Sequence, residues 1–226
     1  MIGPQDWQAI WVTLRLCLWT TAILLLLGTP LAWWLAHTRS RWRAAVEALV
    51  ALPLVLPPTV LGFYLLVALG PRGPVGGLLE ALGGTHLAFT FTGILIGSVL
   101  YSLPFAVQPL QDGFRAIGRQ PLEVAATLGA GPLDRFFTVA LPLARGSVLT
   151  AATLAFAHTM GEFGVVLMIG GSIPGETQVL SIAIYDAAEA LDYRRAHILS
   201  ALMLALSFVI LWLVFARRRR VATVGA

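Results

Sequence analysis

Long hydrophobic runs alternate with shorter polar stretches along the 226 residues of the chain. An α-helix needs about 20 mostly apolar residues to cross a bilayer. Five runs meet that requirement, and the sequence therefore predicts an all-α membrane protein with about five transmembrane helices. The predicted spans are residues 7–37, 44–69, 87–110, 146–169 and 197–216.

The second predicted span contains a proline-rich interruption. Pro53 and Pro57 stand one helical turn apart, and Pro58 and Thr59 follow directly. Each proline removes a backbone donor and crowds the preceding turn. In lipid such a break persists only where protein or a wet cavity supplies partners. We therefore expect this helix to face the interior of a bundle, with a kink at Pro57–Pro58.

The polar stretch between the third and fourth spans, residues 111–143, is long enough to hold structure of its own. Glu123 suits the first turn of a short helix, where the helix dipole favours an anion. Ala125 and Ala126 are good helix formers, and Gly129 is a natural stop with positive φ. The two alanines leave one side of the helix thin, which predicts a docking element. The alternative is an amphipathic interfacial helix that only links two spans.

The composition agrees with a membrane protein, since 58% of the residues are hydrophobic, 12% are charged and the mean hydropathy is +0.84. A soluble domain carries roughly a quarter charged residues. The net charge is +4, and all fifteen basic residues are arginines. They stand beside the spans and form no stripe, so we expect no nucleic-acid partner.

The arginines also predict the topology, because cytoplasmic loops carry the excess of positive charge. One arginine, Arg15, lies within the first predicted span, and we interpret it as a snorkelling side chain and not as an anion-attracting group. The N-terminus is then outside and the C-terminus inside. Residues 170–196 form an outside stretch that contains a helix around residues 180–190, and whether this stretch re-enters the membrane stays open. The inside arginines are Arg39, Arg41, Arg43, Arg115, Arg119, Arg135, Arg145 and Arg217 to Arg220, whereas Arg72, Arg194 and Arg195 are outside.

The polar stretch resembles the EAA loop of ABC importer permeases, with Val124 in place of the commoner alanine. In that family the loop forms a coupling helix that inserts into a cleft of the cytoplasmic ATPase subunit. The resemblance implies the same role here. The residues to which it gives this role are Glu123, Ala125, Ala126, Gly129, Leu141 and Pro142.

Three further motifs, at residues 52–58, 161–164 and 173–177, together resemble the permease of bacterial molybdate ABC importers. The resemblance implies one transmembrane domain, residues 8–216, and a basic cytoplasmic tail, residues 217–226. It implies a homodimer in the bacterial inner membrane, two cytoplasmic ATPase subunits that bind ATP-Mg, and a periplasmic oxyanion-binding protein. Tungstate and sulfate permeases have similar architecture, so these anions are alternatives to molybdate.

Two features of the residues agree with this reading. The chain has no Gly-x-x-x-x-Gly-Lys motif and no lysine at all, so a partner must supply the energy of ATP. Five helices per chain are also few to enclose a translocation path, which favours a symmetric pair of chains. We predict no catalytic residue, no cofactor and no metal site in this chain; the four histidines are too scattered to form one.

Glu162 is the one acidic residue deep in a predicted span, and an intramembrane carboxylate is a functional hypothesis. A carboxylate repels an oxyanion, so we do not interpret it as a substrate ligand. We expect it to bond a backbone group freed by a kink, or a polar group across the bundle, and so to shape the gate. The alternative is a satisfied packing acid. The residues proposed for the gate and path are Pro57, Pro58, Thr59, Gly161, Glu162 and Gly164.

The second, third and fourth spans contain no arginine, so no basic ring is available at mid-depth. We expect the path to bind its anion weakly, through water, backbone N–H groups near Pro57–Thr59 and hydroxyls, with discrimination in the binding protein. A membrane-embedded enzyme is the competing class, but Glu162 and His158 lack a second acid or a nucleophile beside them. An ATP-independent channel would leave the docking element unexplained.

Overall fold

The computed structural model describes residues 3–223, except for the side chains of residue 215 and of residues 217–223. Within this range the chain is helical and has no β-strand. A 3₁₀ turn covers Leu52–Leu54, and a π-helical turn covers Phe136–Ala140. The α-helices are α1 (Pro4–His37), α2 (Arg43–Ala51), α3 (Pro58–Leu69), α4 (Pro74–Ala81), α5 (Phe91–Ile117), α6 (Gln120–Thr127), α7 (Pro132–Arg135), α8 (Leu141–Leu143), α9 (Arg145–Met160), α10 (Gly164–Gly170), α11 (Leu180–Glu189) and α12 (Tyr193–Thr223).

Three of these helices, α1, α5 and α12, are long and apolar enough to cross a membrane. Two bent pairs raise the number to five among the described residues if each pair is one span. Arg43–Leu54 meets Pro58–Ala81 at 106°, and Pro132–Leu143 meets Arg145–Met160 at 72°. The predicted all-α membrane fold is confirmed.

The centre of the bundle is formed by α1, α5 and α9, which pack on one another. One buried cluster joins α1, α5, α10 and α11, and it includes Leu16, Ile94 and Ile169. A second cluster lies towards the other end of α1 and α5 and includes Leu35 and Phe114. Close approach in the first cluster depends on Gly97 of α5, where a Cβ would stand 2.5 Å from Ile169 Cδ1.

Ion pairs at the two ends of the bundle show which segments share a face. Asp6 Oδ1 accepts hydrogen bonds from Arg195 at 2.6 and 3.0 Å, which joins the starts of α1 and α12. Glu47 Oε1 accepts from Arg115 at 2.5 Å and from Gln111 at 2.6 Å, which joins α2 to the end of α5. We call the end with Glu47 and α6 the docking face, and the end with Asp6 the opposite face.

The second span is not the single kinked helix expected over 44–69. Helix α2 ends at Ala51, and α3 begins only at Pro58. Pro57 adopts an extended backbone with ψ of 137°, because a residue that precedes a proline is forced out of the helical region. Two consecutive prolines therefore turn the expected kink into a full break.

The third span is longer than predicted, and the polar stretch between spans is correspondingly shorter. Helix α5 runs to Ile117, because Gln111 and Phe114 are buried on its last two turns. It ends at Gly118, whose φ is +70°. We call the remaining stretch, residues 118–143, the docking segment.

The predicted fourth span is also interrupted, since α9 ends at Met160 and α10 starts at Gly164. The last predicted span, 197–216, is part of α12. That helix continues through 217–223 of the predicted tail; the side chains of Arg217 to Arg220 lie outside the described part of the chain.

The stretch 170–196 was expected to lie outside the spans and to contain a helix, with its re-entry into the membrane left open. Its predicted helix exists as α11 but packs on α1 and α12, with Leu180 and Ile182 fully buried. The Leu180 amide donates to the Thr13 hydroxyl of α1 at 2.7 Å. The turn before α11 is fixed by Thr177, whose hydroxyl donates to the Gly170 carbonyl at 2.7 Å. The sequence pattern predicted this helix, but only the folded bundle shows which helices cover its apolar side.

Candidate functional site

The docking segment begins with α6, which carries the predicted coupling residues on an accessible helix. Pro121 lies in its first turn, where a missing N–H costs nothing. Glu123 lies in the same turn and is exposed. None of the residues of α6 is buried. The helix therefore projects from the bundle and is free to meet another surface.

The end of α6 explains why two alanines and a glycine stand at these positions. Gly129 has φ of +90°, as predicted. Its amide bonds the Ala126 carbonyl at 3.0 Å, and the Ala130 amide bonds the Ala125 carbonyl at 3.0 Å. These two bonds are the pair that defines a Schellman motif, which satisfies the last carbonyls of a helix. The motif stops α6 sharply and turns the chain towards α7.

Aromatic side chains fasten the docking segment to the bundle. The Phe136 ring lies 5.2 Å from Trp33 of α1, in an edge-on arrangement, and 6.1 Å from Phe114 of α5. Trp33 and Phe114 are themselves 5.1 Å apart. Ala140 is fully buried in the same cluster. The segment thus has a rigid base that connects it to both long helices.

The outer side of the segment exposes large apolar residues. Leu128 is 82% exposed, Leu133 is 75% exposed and Phe137 is 60% exposed, and Val124 is exposed beside them. Apolar patches that a protein leaves uncovered mark contact surfaces. Sequence reasoning did not single out Leu128, Leu133 or Phe137; the i, i+4 spacing of Leu133 and Phe137 is the signal that could have found the last two.

Leu141 and Pro142 lie at the joint between the docking segment and α9 and not on the exposed patch. The Leu141 amide bonds the Phe136 carbonyl, five residues back, which makes the π turn. Pro142 has no amide to donate, and the chain bends by 72° where α9 begins. These two residues therefore set the angle between the segment and α9.

The candidate gate is the place where the two broken helices meet. Pro58 begins α3 and Gly164 begins α10, and a Cβ on Gly164 would stand 2.8 Å from the Cβ of Pro58. One turn further, a Cβ on Gly62 would stand 2.6 Å from the Cβ of Met168. The structure thus brings Pro58 and Gly164 together, with Gly161 and Glu162 in the intervening break of the α9–α10 chain.

The backbone donors expected near the double proline are few. Pro57 and Pro58 have no N–H, and the Val60 amide is already bonded to the Pro57 carbonyl at 3.0 Å. Among the described residues, the Thr59 amide is left without a backbone partner, and Thr59 is exposed. One amide per chain, together with hydroxyls and water, is a weak site for an anion.

Glu162 does not make the bonds that were expected of it. The side chain is 4% exposed, and neither carboxylate oxygen has a hydrogen-bond partner among the described residues. The Ser98 hydroxyl lies beside the carboxylate, but no bond of standard geometry joins them, and that hydroxyl is also unpartnered. Instead, the Ser181 hydroxyl of α11 donates to the Glu162 carbonyl at 2.7 Å. The main chain of the break is tied to α11, while the acid is left free.

An unpaired buried carboxylate is costly, because its desolvation is not offset by any bond. Thr20 and Thr21 of α1 also have buried, unpartnered hydroxyls. Each such group in a native structure needs an explanation, such as a functional role or a bound water. This pattern distinguishes Glu162 from a satisfied packing acid.

His158 is a packing residue in this structure. Its Nδ1 lies 2.8 Å from the Ser102 hydroxyl, and that hydroxyl is 3.1 Å from the Thr159 hydroxyl. The ring stacks on Phe105 with centroids 4.0 Å apart. Ser102 is fully buried, so this Ser–His pair has no room for a substrate and gives no support to a membrane-embedded enzyme.

Arg15 is exposed on α1, with its guanidinium 4.0 Å from the centre of the Phe91 ring at the start of α5. A guanidinium over an aromatic face is held by a cation–π interaction.

Residues 28–223 match the model of the family described as "Binding-protein-dependent transport system inner membrane component". The chain is 58% identical to the molybdenum transport system permease protein ModB of Azotobacter vinelandii over 96% of each chain. It is 38% identical to ModB of Mycobacterium bovis over 84% of this chain and 74% of the relative. A probable sulfate transport system permease protein of Helicosporidium is 31% identical over 92% of this chain and 77% of the relative.

The fold has solved counterparts as well. A bacterial ABC transporter involved in the import of the acidic polysaccharide alginate superposes with a TM-score of 0.82 at 18% identity, over 96% of this chain and 80% of that one. At that identity the likeness shows the fold alone.

The chain belongs to the family of binding-protein-dependent transport system inner membrane components, the permeases of ABC importers. It is therefore a multi-pass inner-membrane transport protein, and the family expected from the sequence is confirmed.

Two serines on successive turns of α5 allow a matched test of the buried hydrogen bonds. Ser102→Ala leaves His158 and Thr159 without their shared partner, and we expect it to destabilise the protein by about 1–3 kcal/mol. Ser98→Ala removes an equally buried hydroxyl that has no partner, so it should be close to neutral. The measurement is the unfolding temperature of each purified variant in detergent. Equal losses would show that Ser98 is bonded in solution and would contradict the description of the Glu162 site.

Proposed function

We propose that this chain is the permease subunit of an ATP-driven molybdate importer, which forms the translocation path by alternating access. The observation that carries the proposal is the 58% identity to a molybdenum permease over 96% of both chains. The same role for sulfate is the second candidate, because a probable sulfate permease is 31% identical to this chain. Tungstate is the third candidate, since its oxyanion has the same shape and charge as molybdate.

We propose a homodimer as the functional unit. The break before α3 is exposed in a single chain, where Val55 is 83% exposed and Pro57 is also uncovered. Unpaired backbone at membrane depth is tolerated only against protein or a wet cavity. Phe63 and Tyr64 are exposed on the same helix, opposite its contact with α10. A second copy around a central axis would supply both the protein face and the cavity.

Two cytoplasmic ATPase subunits are the proposed partners of the docking face. The exposed patch at Val124, Leu128, Leu133 and Phe137 is supported from behind by Phe136, as a contact surface that transmits force needs to be. ATP-Mg would be bound by those subunits, and this chain would hold no cofactor. A periplasmic oxyanion-binding protein would dock on the opposite face and deliver the anion.

The proposed orientation puts the docking face in the cytoplasm and the opposite face in the periplasm, with the N-terminus outside and the C-terminus inside. Arg115 and Arg119 lie at the end of α5 on the docking face, whereas Arg195 lies on the opposite face paired to Asp6. Of the fifteen arginines, eleven belong to segments proposed to be inside and three to segments proposed to be outside, as expected for a cytoplasmic docking face.

Pro57, Pro58, Thr59, Gly161, Glu162 and Gly164 are the proposed gate. Helix α9 connects this gate directly to the docking segment, since it starts at Arg145 and ends just before Gly161. Its 16 residues span about 24 Å at 1.5 Å per residue. A displacement of the docking segment by the ATPase would thus reach the α9–α10 break through one continuous helix.

The orientation predicts which introduced cysteines an impermeant maleimide can reach in intact cells. In a Cys17→Ala background, Leu82→Cys should react, and Gly131→Cys should react only after the cells are permeabilised. Leu82 is 76% exposed, and a Cβ at Gly131 meets nothing within 4 Å, so both positions accept the reagent. Labelling of Gly131→Cys but not Leu82→Cys in intact cells would reverse the topology.

Substitution at the end of α6 tests the coupling role. Gly129→Asp forces a side chain onto a backbone with φ of +90°, which costs roughly 1 kcal/mol or more. We expect normal membrane insertion, weakened association with the ATPase and loss of uptake. Gly131→Asp is the matched control, since it adds the same charge two residues away at φ of −71° and at a helix N-cap, where Asp is favoured. Either normal uptake by Gly129→Asp or an equal loss of uptake in Gly131→Asp would contradict the proposal that the backbone shape at Gly129 is needed for docking.

The assignment of the anion is tested by transport in a reconstituted complex. Molybdate, tungstate and sulfate uptake and ATPase stimulation are measured with the cognate binding protein, and each anion's affinity is measured for the binding protein and for the permease complex alone. We expect transport to follow the ranking of the binding protein, because this chain offers one free amide and no basic ring at the gate. Preferential transport of sulfate would overturn the molybdate assignment. Tight, selective anion binding by the permease complex alone would overturn the expectation that the path binds its anion weakly.

A further inference from the structure

The docking face contains an open pocket with a volume of about 290 Å³ between the end of α1, the start of α2 and the end of α5. Four arginines line it: Arg39, Arg43, Arg115 and Arg119. The buried ring of Phe114 contributes to its wall. Neither the coupling nor the gate proposal uses this pocket.

Two of the arginines are ion-paired and two are not. Glu47 pairs with Arg43 at 3.1 Å and with Arg115 at 2.5 Å, which holds both guanidiniums in place. Arg39 and Arg119 make no salt bridge and no side-chain hydrogen bond with any residue that the structure describes, and both are exposed. The pocket therefore presents two free guanidiniums in front of a fixed, partly compensated pair.

Exposed tryptophans place the pocket at the membrane surface. Trp34 is 40% exposed in the last turns of α1, and Trp42 is 62% exposed just before α2. Tryptophan is enriched at the level of the lipid headgroups, where its ring is half in lipid and half in water. These two side chains flank Arg39, so the pocket opens at headgroup depth.

We propose that this pocket binds the phosphate group of an anionic phospholipid. Guanidinium groups recognise a tetrahedral oxyanion through paired, charge-assisted hydrogen bonds, and Arg39 and Arg119 have all their donors free for it. Free phosphate and the transported oxyanion share this chemistry. The lipid is favoured because the site opens at headgroup depth, where the leaflet holds anionic lipid at high local concentration. Arg119 is also the residue from which α6 starts, so a bound headgroup would touch the root of the docking segment.

The test uses the full chain purified with its ATPase subunits and a fluorescent phosphatidylglycerol as the probe, with phosphatidylcholine as the neutral comparison. In the double variant Arg39→Gln, Arg119→Gln we expect phosphatidylglycerol affinity to fall about 30-fold, since each arginine near an anionic lipid contributes a factor of about five. The control variant Arg41→Gln, Arg145→Gln removes two exposed arginines that do not line the pocket. Its affinity should stay close to that of the unchanged protein, and phosphatidylcholine binding should be the same in all three.

Each other outcome overturns the proposal in a distinguishable way. Equal weakening in both double variants would mean diffuse attraction between a basic face and the membrane. Displacement of phosphatidylglycerol by inorganic phosphate or molybdate, at matched ionic strength, would mean a free-oxyanion site. Unchanged lipid binding with loss of the ATPase subunits would mean that the pocket is a protein contact.

A conservative variant keeps the test valid if the glutamine pair fails to purify. Arg39→Lys, Arg119→Lys retains both charges but loses the planar fork of donors. We expect an intermediate loss of phosphatidylglycerol affinity from it, and affinity equal to that of the unchanged protein would overturn the paired-guanidinium site. None of these readouts depends on which anion is transported, so the lipid site and the molybdate assignment can fail separately.

Discussion

The constraint on which this structure depends is that lipid offers no partner to an unpaired backbone group. The chain nevertheless breaks two helices at depth, at Val55–Pro57 and at Gly161–Phe163. It meets the constraint in part by packing the helices that follow the breaks on each other, with Gly164 on Pro58 and Gly62 on Met168, while Val55 and Pro57 stay exposed in the single chain. The small residues are what allow the two short helices to approach so closely, because a single Cβ would already collide. The two short helices are thus closely packed on each other at Gly62 and Gly164, although the first break itself is exposed.

The docking segment meets a different requirement, since one side must be packed on the bundle and the other side must stay exposed. Phe136 and Phe137 are neighbours in the sequence but have opposite environments: the first packs on Trp33 and the second points away from the bundle. The Schellman motif at Gly129 fixes the shape of the exposed end, and the bend after Leu141–Pro142 fixes its angle to α9. If the proposed coupling role is correct, a displacement of the exposed side would reach the break near Glu162 through α9. The basic pocket at Arg119 lies at the root of the same segment, where a bound headgroup would hold it against the membrane.

Sequence reasoning predicted the parts of this protein that follow from local chemistry. The prolines, the glycine with positive φ, the helix around residues 180–190 and the motif of the docking segment were all readable, because each depends on residues close together in the chain. The boundaries were less predictable: α5 extends seven residues beyond the expected end because Gln111 and Phe114 find buried partners on other helices. The environment of Glu162 was not predictable for the same reason, since its neighbours Ser98 and Cys17 come from α5 and α1.

The sequence by itself determined the class of protein, since hydrophobic length, arginine placement and the spacing of a coupling motif are properties of the chain and need no partner. Only the tertiary structure decided that α11 is packed inside the bundle, that Pro58 meets Gly164, and that four arginines, two from α2 and α5 and two from the turns beside them, share one pocket. Those facts depend on which surfaces come into contact across 80 to 167 residues of chain, and the physical reason is that burial is a property of pairs of surfaces. A pattern along one helix shows that it has an apolar side, but the element that covers that side is chosen by the packing of the whole bundle.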